Sequence, residues 1–404
     1  MEFIKGGITT AKGFKANGIH CGIRKNKQKK DLAMYACDHI CTAAAVHTQN
    51  KVCGAPNTVT RKNLENGYAQ AMICNSGIAN TCAADGIEKA NAMCELAANA
   101  LGIAANDIIV GSTGVIGPPI DLEPIKNGID ELKSGLSREG GVDAAEAIMT
   151  TDTHSKQVAV KFELDGKACV IGGMAKGSGM IMPNMATMLC FLTTDAAISA
   201  KMLKAALVSV VNDTFNMVSV DGDTSTNDMC SIMASGDAGN NEITEFGDNF
   251  DIFKSALYEA LRCLSRMIAA DGEGATKLIE CNVSGAVDVK NAKIIAKSVI
   301  NSSLLKAAMF GADANWGRVL CAIGYSGAEV DVLGVDMEFA SEKGSIAVCK
   351  NGAGIPVDED KAKIILSEKE VNINITLHDG EGTATAWGCD LTYDYVKING
   401  DYRS

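Results

Sequence analysis

The sequence predicts an α/β fold whose sheets are mixed or antiparallel and covered by helices. Three features predict it. Apolar residues alternate with polar ones ahead of a tight-turn dipeptide, short apolar runs lead into glycine-rich stretches, and longer segments carry apolar residues at helical spacing. Turn-joined strands pair antiparallel, which argues against a single doubly wound parallel sheet.

Residues 31–48 read as a strand region closing on Ala43 to Val46. Gln70 to Cys74 form a short buried strand that runs into the turn signal Asn75-Ser76-Gly77. Ala90, Met93, Cys94, Ala97 and Leu101 share one helical face. Asp107 to Val110 form another strand, ending at Gly111-Ser112-Thr113-Gly114. Val158, Val160, Phe162 and Leu164 alternate up to Asp165-Gly166, a hairpin signal, and a partner strand passes through Val170 and Ile171. A helix over 199–211 has Ser199 as its N-cap. A second, over 250–269, turns Phe253, Leu257, Leu261, Leu264 and Ile268 inward. Val371, Ile373, Ile375 and Leu377 alternate, and Asp379 to Gly382 read as a hairpin turn returning the chain through Thr383 to Trp387.

Of the 404 residues, 47% are hydrophobic and 21% charged, the balance of an ordinary globular protein with room for a large core. The net charge of −12 repels phosphate backbones and argues against nucleic acid. The one dense basic cluster, Arg24 to Lys30, reads as a solvated loop. The 15 cysteines include no Cys-x-x-Cys pair. Cys37, His39 and Cys41 lie close together, but no second ligand pair at metal spacing accompanies them, so no metal site is expected and free thiols in a reducing compartment are. No charged-then-apolar leader opens the sequence, and no run approaches the ~20 apolar residues that span a bilayer. A cytoplasmic protein that does not bind membranes is expected.

Several familiar sites are excluded. Gly111 to Gly117 has the wrong glycine spacing for a dinucleotide loop, and Lys176-Gly177-Ser178 reverses the order of a P-loop. The five histidines form no i, i+4 pair, which gives little support to a zinc hydrolase or a histidine-based triad. What stands out is Gly172 to Leu192, where four glycines surround Lys176 and Pro183-Asn184-Met185-Ala186-Thr187 precedes an apolar run. Thr187 could be no more than a β-former in a buried strand. A threonine hydroxyl becomes a useful nucleophile, however, if the peptide bond before it is cut. Its own α-amine, with a pKa near ~7.7–8, is then a base held beside it, and no histidine is needed.

The stretch Lys176 to Leu189 closely resembles the self-processing segment of the ornithine acetyltransferase (glutamate N-acetyltransferase) family of arginine biosynthesis. The resemblance runs nearly end to end. It includes Lys12-Gly13-Phe14, Asn75-Ser76-Gly77 with Ala79-Asn80, Thr150 to Thr153, Ser219 to Asp228, Asp271 to Lys277, Asp313 to Arg318 and Asn399 to Ser404. Ile78 departs from the family, where Asn is commoner.

The resemblance implies cleavage between Ala186 and Thr187, giving an α chain of residues 1–186 and a β chain of residues 187–404 that share one core and assemble as an α2β2 heterotetramer. Thr187 would be the nucleophile. Thr113 and Gly114 would form the oxyanion hole, where each donor is worth about 3–4 kcal/mol. Thr153, Lys176, Glu273, Asn399 and Ser404 would bind the amino-acid substrate, with Lys176 suited to a carboxylate and Glu273 to an ammonium group. Asp221, Asp223 and Asp228 would bond turns and hold no metal. The implied fold is a layered helix–sheet–sheet–helix sandwich that resembles N-terminal-nucleophile hydrolases but differs in topology, with a smaller C-terminal α/β lobe. The implied reaction is ping-pong transfer of acetyl from N-acetylornithine to glutamate, yielding ornithine and N-acetylglutamate without a cofactor. Acetyl-CoA is a second donor in some members. The rival reading is an N-terminal-nucleophile peptidase or amidase with water as acceptor.

Overall fold

The computed structural model describes residues 1–182 and 188–400. The chain divides into two compact units. The first comprises Met1–Gly177, Pro183–Asn216 and Thr224–Leu264, the second Ser178–Met182, Met217–Asp223 and Ser265–Ser404. Both are α/β with mixed sheets.

The first unit carries β1 (Glu2–Phe3), β2 (Phe14–Ile19), β3 (Leu32–His47), β4 (Tyr68–Ile78), β5 (Ile108–Val115), β6 (Lys156–Leu164), β7 (Lys167–Lys176) and β8 (Leu189–Thr194). After β9 (Val218–Ser219), which joins the other unit's sheet, comes β10 (Met229–Ala234). The sheet order is β1-β6-β7-β8-β10-β3-β4-β5, with β2 also on β3. The predicted hairpin is present. Leu164 pairs with Lys167, and Asp165 and Gly166 both take positive φ, as a two-residue turn requires.

Strand β3 organises this sheet. Its first half pairs with β2 from Leu32 to Cys37, and its second half pairs with β10 from Thr42 to His47. Between them the register against β4 jumps, since Ala36 faces Ala71 while Cys41 faces Ala69. Four residues of β3 therefore oppose Gln70 alone, and Asp38, His39 and Ile40 are exposed. A bulge of this kind bends a strand sharply. The two parts of the sheet consequently face one another across a core that contains Phe14, Tyr35, Met72, Met174 and Phe191. The Tyr35 and Phe191 rings meet edge-on at 6.1 Å. Helix Gly86–Leu101 covers the other face of β4 and β5 through Met93 and Ala97, and helix Glu123–Ser134 covers β2 and β3 through Ile125 and Leu132. Phe253, on helix Asp248–Ala270, packs edge-on against Phe162 of β6 at 6.1 Å. Ser199 caps helix Ala200–Asp213 by accepting from the Met202 N–H, as expected.

Two sequence expectations need correcting here. Asn75-Ser76-Gly77 is not a turn, and the strand through Val110 does not stop at Gly111 but runs on to Val115. Both stretches lie inside β4 and β5, which pair in parallel through Gly77 opposite Gly114. The glycines allow the two backbones to press together rather than to turn.

The second unit's sheet runs β14-β13-β12-β15-β11-β16-β9, with β11 (Leu278–Ala286), β12 (Asp336–Ser341), β13 (Gly344–Lys350), β14 (Ala353–Gly354), β15 (Glu370–Thr376) and β16 (Gly382–Cys389). The alternation at 371–377 is β15, but Asp379 to Gly382 is not a hairpin turn. β11 lies between β15 and β16, parallel to the first and antiparallel to the second. Among the described residues, no helix is long and apolar enough to cross a membrane.

Phe191 is fully buried between the two halves of the first sheet. Phe191→Ala should lower stability by about 3–5 kcal/mol in urea unfolding. A loss below about 1 kcal/mol would mean that the two halves are not held by this core.

Candidate active site

Thr113 and Gly114 sit at the end of β5, opposite Ser76 and Gly77 of β4. A Cβ on Gly114 would lie 2.2 Å from the Gly77 carbonyl carbon, and Gly114 has φ of +133°, so no other residue fits. A Cβ on Gly111 would meet Phe191 Cζ of β8 at 3.2 Å. By the two-residue period of a strand, Thr113 belongs to the same face of β5 as Gly111. Thr113 is 8% exposed.

Buried polar groups fix this strand end. Asn227 Nδ2 donates to the Ala79 carbonyl at 2.5 Å and to the Ser112 carbonyl at 3.0 Å. Its Oδ1 accepts the Thr81 and Thr226 hydroxyls, each at 2.6 Å. Ser76 Oγ donates to the Ala147 carbonyl at 2.6 Å. The sequence reading gave Asn227 no role of its own. The available signal was an amide flanked by Thr226 and Asp228 immediately before an apolar strand.

Lys176, the buried last residue of β7, pairs in register with Leu189, two residues after Thr187 in the chain. Asp152 lies beside it. Its Oδ1 accepts Lys156 Nζ and the Gly177 N–H, each at 2.7 Å, and its Oδ2 accepts the Thr150 N–H at 3.0 Å. Burial alone would raise the Asp152 carboxyl. The Lys176 and Lys156 cations, with the hydrogen bonds from Lys156 and Gly177, outweigh burial and hold it well below the usual carboxylate range. Asp152 thereby anchors the loop that carries Thr153. Thr153 itself is exposed, with its hydroxyl 3.0 Å from His154 Nδ1.

Asp228 is more than the turn-bonding residue expected from the sequence. It is 2% exposed, and its Oδ2 has no hydrogen-bond partner among the described residues. Burial pushes its carboxyl well above the ordinary range, against the Ser225 hydroxyl, the Lys176 charge and the Met188 N–H. The structure therefore places a protonatable acid against Met188, the residue that follows Thr187. Nothing in the residue pattern distinguishes it from Asp221 and Asp223.

In the second unit, Glu273 and Asn399 come together, with Asn399 Nδ2 donating to Glu273 Oε2 at 2.7 Å. Glu273 N–H donates to the Ser178 carbonyl at 2.9 Å, and Ser178 Oγ donates to the Asp271 carbonyl at 2.6 Å. A Cβ on Gly179 would fall within 2.4 Å of all three carboxyl atoms of Glu273. Glycine at 179 is therefore what lets this carboxylate approach the chain. Asp221 accepts the Asp223 N–H at 3.2 Å within its own turn, and also the Met180 N–H at 2.6 Å and the Ile181 N–H at 2.8 Å from a distant part of the chain. Ala186, Thr187 and Ser404 lie outside the described residues. Of the remaining candidates, Thr113, Gly114, Thr153 and Lys176 belong to the first unit, and Glu273 and Asn399 to the second.

Known proteins resemble the chain along its length. A family profile described as the ArgJ family matches residues 15–404. The arginine biosynthesis bifunctional protein ArgJ of Caldanaerobacter subterraneus subsp. tengcongensis is 50% identical over 405 residues, covering 100% of both chains. That of Bacillus subtilis is 46% identical over 403 residues, covering 99% of this chain and 97% of the relative. A crystal structure of the arginine biosynthesis bifunctional protein ArgJ from Bacillus halodurans is 47% identical and covers 52% of this chain and 97% of its own, with a TM-score of 0.50.

Asp152 and Lys156 are both fully buried at the side chain. Asp152→Asn removes the buried carboxylate that accepts Lys156 Nζ and should cost about 3–5 kcal/mol at pH 7. The folded carboxyl titrates below its unfolded value of about 3.9, so its contribution is complete above about pH 4 and is lost as the pH falls below that. Urea unfolding across pH should show the gap between variant and wild type narrowing below pH ~4. A pH-independent gap would contradict this.

Proposed function

The chain belongs to the ArgJ family, and we propose that it moves an acetyl group from N-acetylornithine to glutamate through an ester on Thr187, freed by cleavage of its own chain after Ala186. By kinship with the arginine biosynthesis bifunctional proteins, it is a glutamate N-acetyltransferase, an acyltransferase of arginine biosynthesis. The chains formed are residues 1–186 and 187–404, which together make an α2β2 heterotetramer in the cytoplasm. We read the two facing sheet halves with their outer helices as the helix–sheet–sheet–helix layering of an N-terminal-nucleophile-like fold, and the second unit as the smaller C-terminal lobe.

The neutral α-amine of Thr187 takes the proton of its own hydroxyl. Oγ attacks the acetyl carbonyl, and the carbonyl oxygen becomes an oxyanion. The Thr113 hydroxyl and the Gly114 N–H donate to it. As the C–N bond breaks, the amine proton passes to the leaving nitrogen, ornithine departs, and acetyl remains as a threonine ester. The glutamate amine then attacks that ester through the same oxyanion, and its proton returns to Oγ by way of the α-amine. An amide becomes an ester and then an amide again, so no cofactor or external energy source is required. Acetyl-CoA enters as an alternative thioester donor to the same hydroxyl. Lys176 meets a substrate carboxylate and Glu273, aided by Asn399, an ammonium group, with Thr153 and Ser404 as further substrate contacts.

The observation that carries this reading is the placement of Thr113. It stands on the β5 face turned toward β8, the strand that begins two residues after Thr187, and glycine-to-glycine contact holds its backbone.

Thr113→Ala should lower kcat about 10²–10³-fold with KM little changed, because the hydroxyl acts on charge present only in the transition state. Product analysis in the same assay separates transferase from amidase. Each N-acetylornithine consumed should yield one N-acetylglutamate, with turnover dependent on glutamate. Steady release of acetate without glutamate would assign the chemistry to hydrolysis instead.

A further inference from the structure

The bulge in β3 gathers three metal-ligating side chains that the transfer chemistry leaves unused. On a straight strand, residues four apart are separated by roughly 13 Å. Here Cys37 and Cys41 stand at the two ends of the bulge, and their sulfurs and a ring nitrogen of His39 all lie within 4.8 Å of one another. Cys37 Sγ is 3.7 Å from His39 Nδ1. A tetrahedral ion holding sulfur at about 2.3 Å and nitrogen at about 2.1 Å would set these atoms about 3.6 Å apart.

The surroundings select the correct histidine tautomer. His39 Nε2 is 3.1 Å from the Ser235 carbonyl, which can only accept, so Nε2 carries the proton and Nδ1 presents its lone pair to the sulfurs. The Asp237 carboxylate stands 3.6 Å from the same Nε2, which gives the histidine the outer carboxylate partner common to metal-bound imidazoles. Gly13, at φ +90°, makes room for this arrangement. A Cβ there would meet Asp237 Oδ2 at 2.5 Å and Cys37 Sγ at 3.1 Å. Asp38 is engaged elsewhere, paired with Lys15 at 3.0 Å. The thiols are buried, and the half-exposed His39 ring leaves a way in from solvent.

We propose that Cys37, His39 and Cys41 bind a soft divalent ion of the zinc class, with water in the fourth position and Asp237 positioning His39. Binding releases the two thiol protons to solvent and leaves a neutral centre, a divalent cation between two thiolates. The ion clamps the bulge at which β3 exchanges β2 for β10, and it takes no part in acetyl transfer.

The test is cobalt(II) titration of the full chain, read by thiolate-to-cobalt charge-transfer absorption. One cobalt per chain is expected, displaced by zinc. Cys37→Ser and Cys41→Ser should abolish the band, and Asp237→Asn should weaken binding about 10-fold. Cys321→Ser, at an exposed cysteine outside the cluster, should change nothing. Wild-type acetyl transfer by each variant certifies its fold. For any variant that fails to fold, the readout moves to the wild type, where zinc should slow alkylation of the buried Cys37 and Cys41 and leave that of the exposed Cys82 and Cys321 unchanged. The proposal is overturned if the band is absent, if it survives loss of either cysteine, or if zinc leaves alkylation of the pair unchanged. None of these results bears on the acyl chemistry of Thr187.

Discussion

The bend in β3 is the constraint on which the first unit depends. One sixteen-residue strand supplies hydrogen bonds to both halves of the sheet, so the halves cannot be placed independently. Where register is lost between Ala36 and Cys41, the strand turns, and Tyr35 comes to lie against Phe191. The placement of three candidate site residues of this unit follows from that closure. β5, with Thr113 and Gly114, is brought to face β8, and Lys176 on β7 is in register with the start of β8. The interaction is apolar and non-directional, but the strand's continuity gives it a direction.

Electrostatics then fixes the parts that burial alone would leave loose. The Asp152–Lys156 pair has no exposed side-chain surface, and a buried pair of this kind contributes less by its net energy than by the penalty for losing either partner. Because Asp152 also accepts the Gly177 and Thr150 N–H groups, one carboxylate ties the end of β7 to the loop before β6. Asp221 does the same for Met180 and Ile181 in the second unit. The backbone at Gly177 and at Met180 and Ile181 is thus held by two carboxylates. Asp228 is the exception, a buried carboxyl with one oxygen unpaired among the described residues.

Much of this was legible in the residues. The Asp165-Gly166 hairpin, the capped helix after Ser199 and the long helix up to Ala270 follow from local periodicity and turn chemistry, which are short-range signals. Thr187 stands out as a candidate nucleophile because its segment is chemically unusual, with a lysine among glycines and then a threonine with no histidine to serve it, and it lies outside the described residues. Two kinds of feature were not legible. Glycine at 77, 111 and 114 reads as turn, yet here it serves close backbone approach inside paired strands, and only the partner strand reveals that use. Likewise β11 separates β15 from β16 although some 80 residues of chain part it from them, so a turn sequence at Asp379 to Gly382 could not disclose the missing hairpin. Asn227 and the Cys37–His39–Cys41 cluster belong to the same class. Asn227 takes its meaning from Ala79, Thr81 and Ser112, distant in the chain, and the cysteine–histidine cluster from the bulge in β3.

The central claim is that Thr187 becomes a chain terminus and then carries the acetyl group. The most direct measurement is intact mass under denaturing conditions after incubation with N-acetylornithine in the absence of glutamate, for wild type and Thr187→Ala. The account predicts two wild-type fragments, 1–186 and 187–404, with one acetyl group on the second that disappears when glutamate is added, and a single unmodified chain for the variant. An uncut wild-type chain that still transfers acetyl would contradict it.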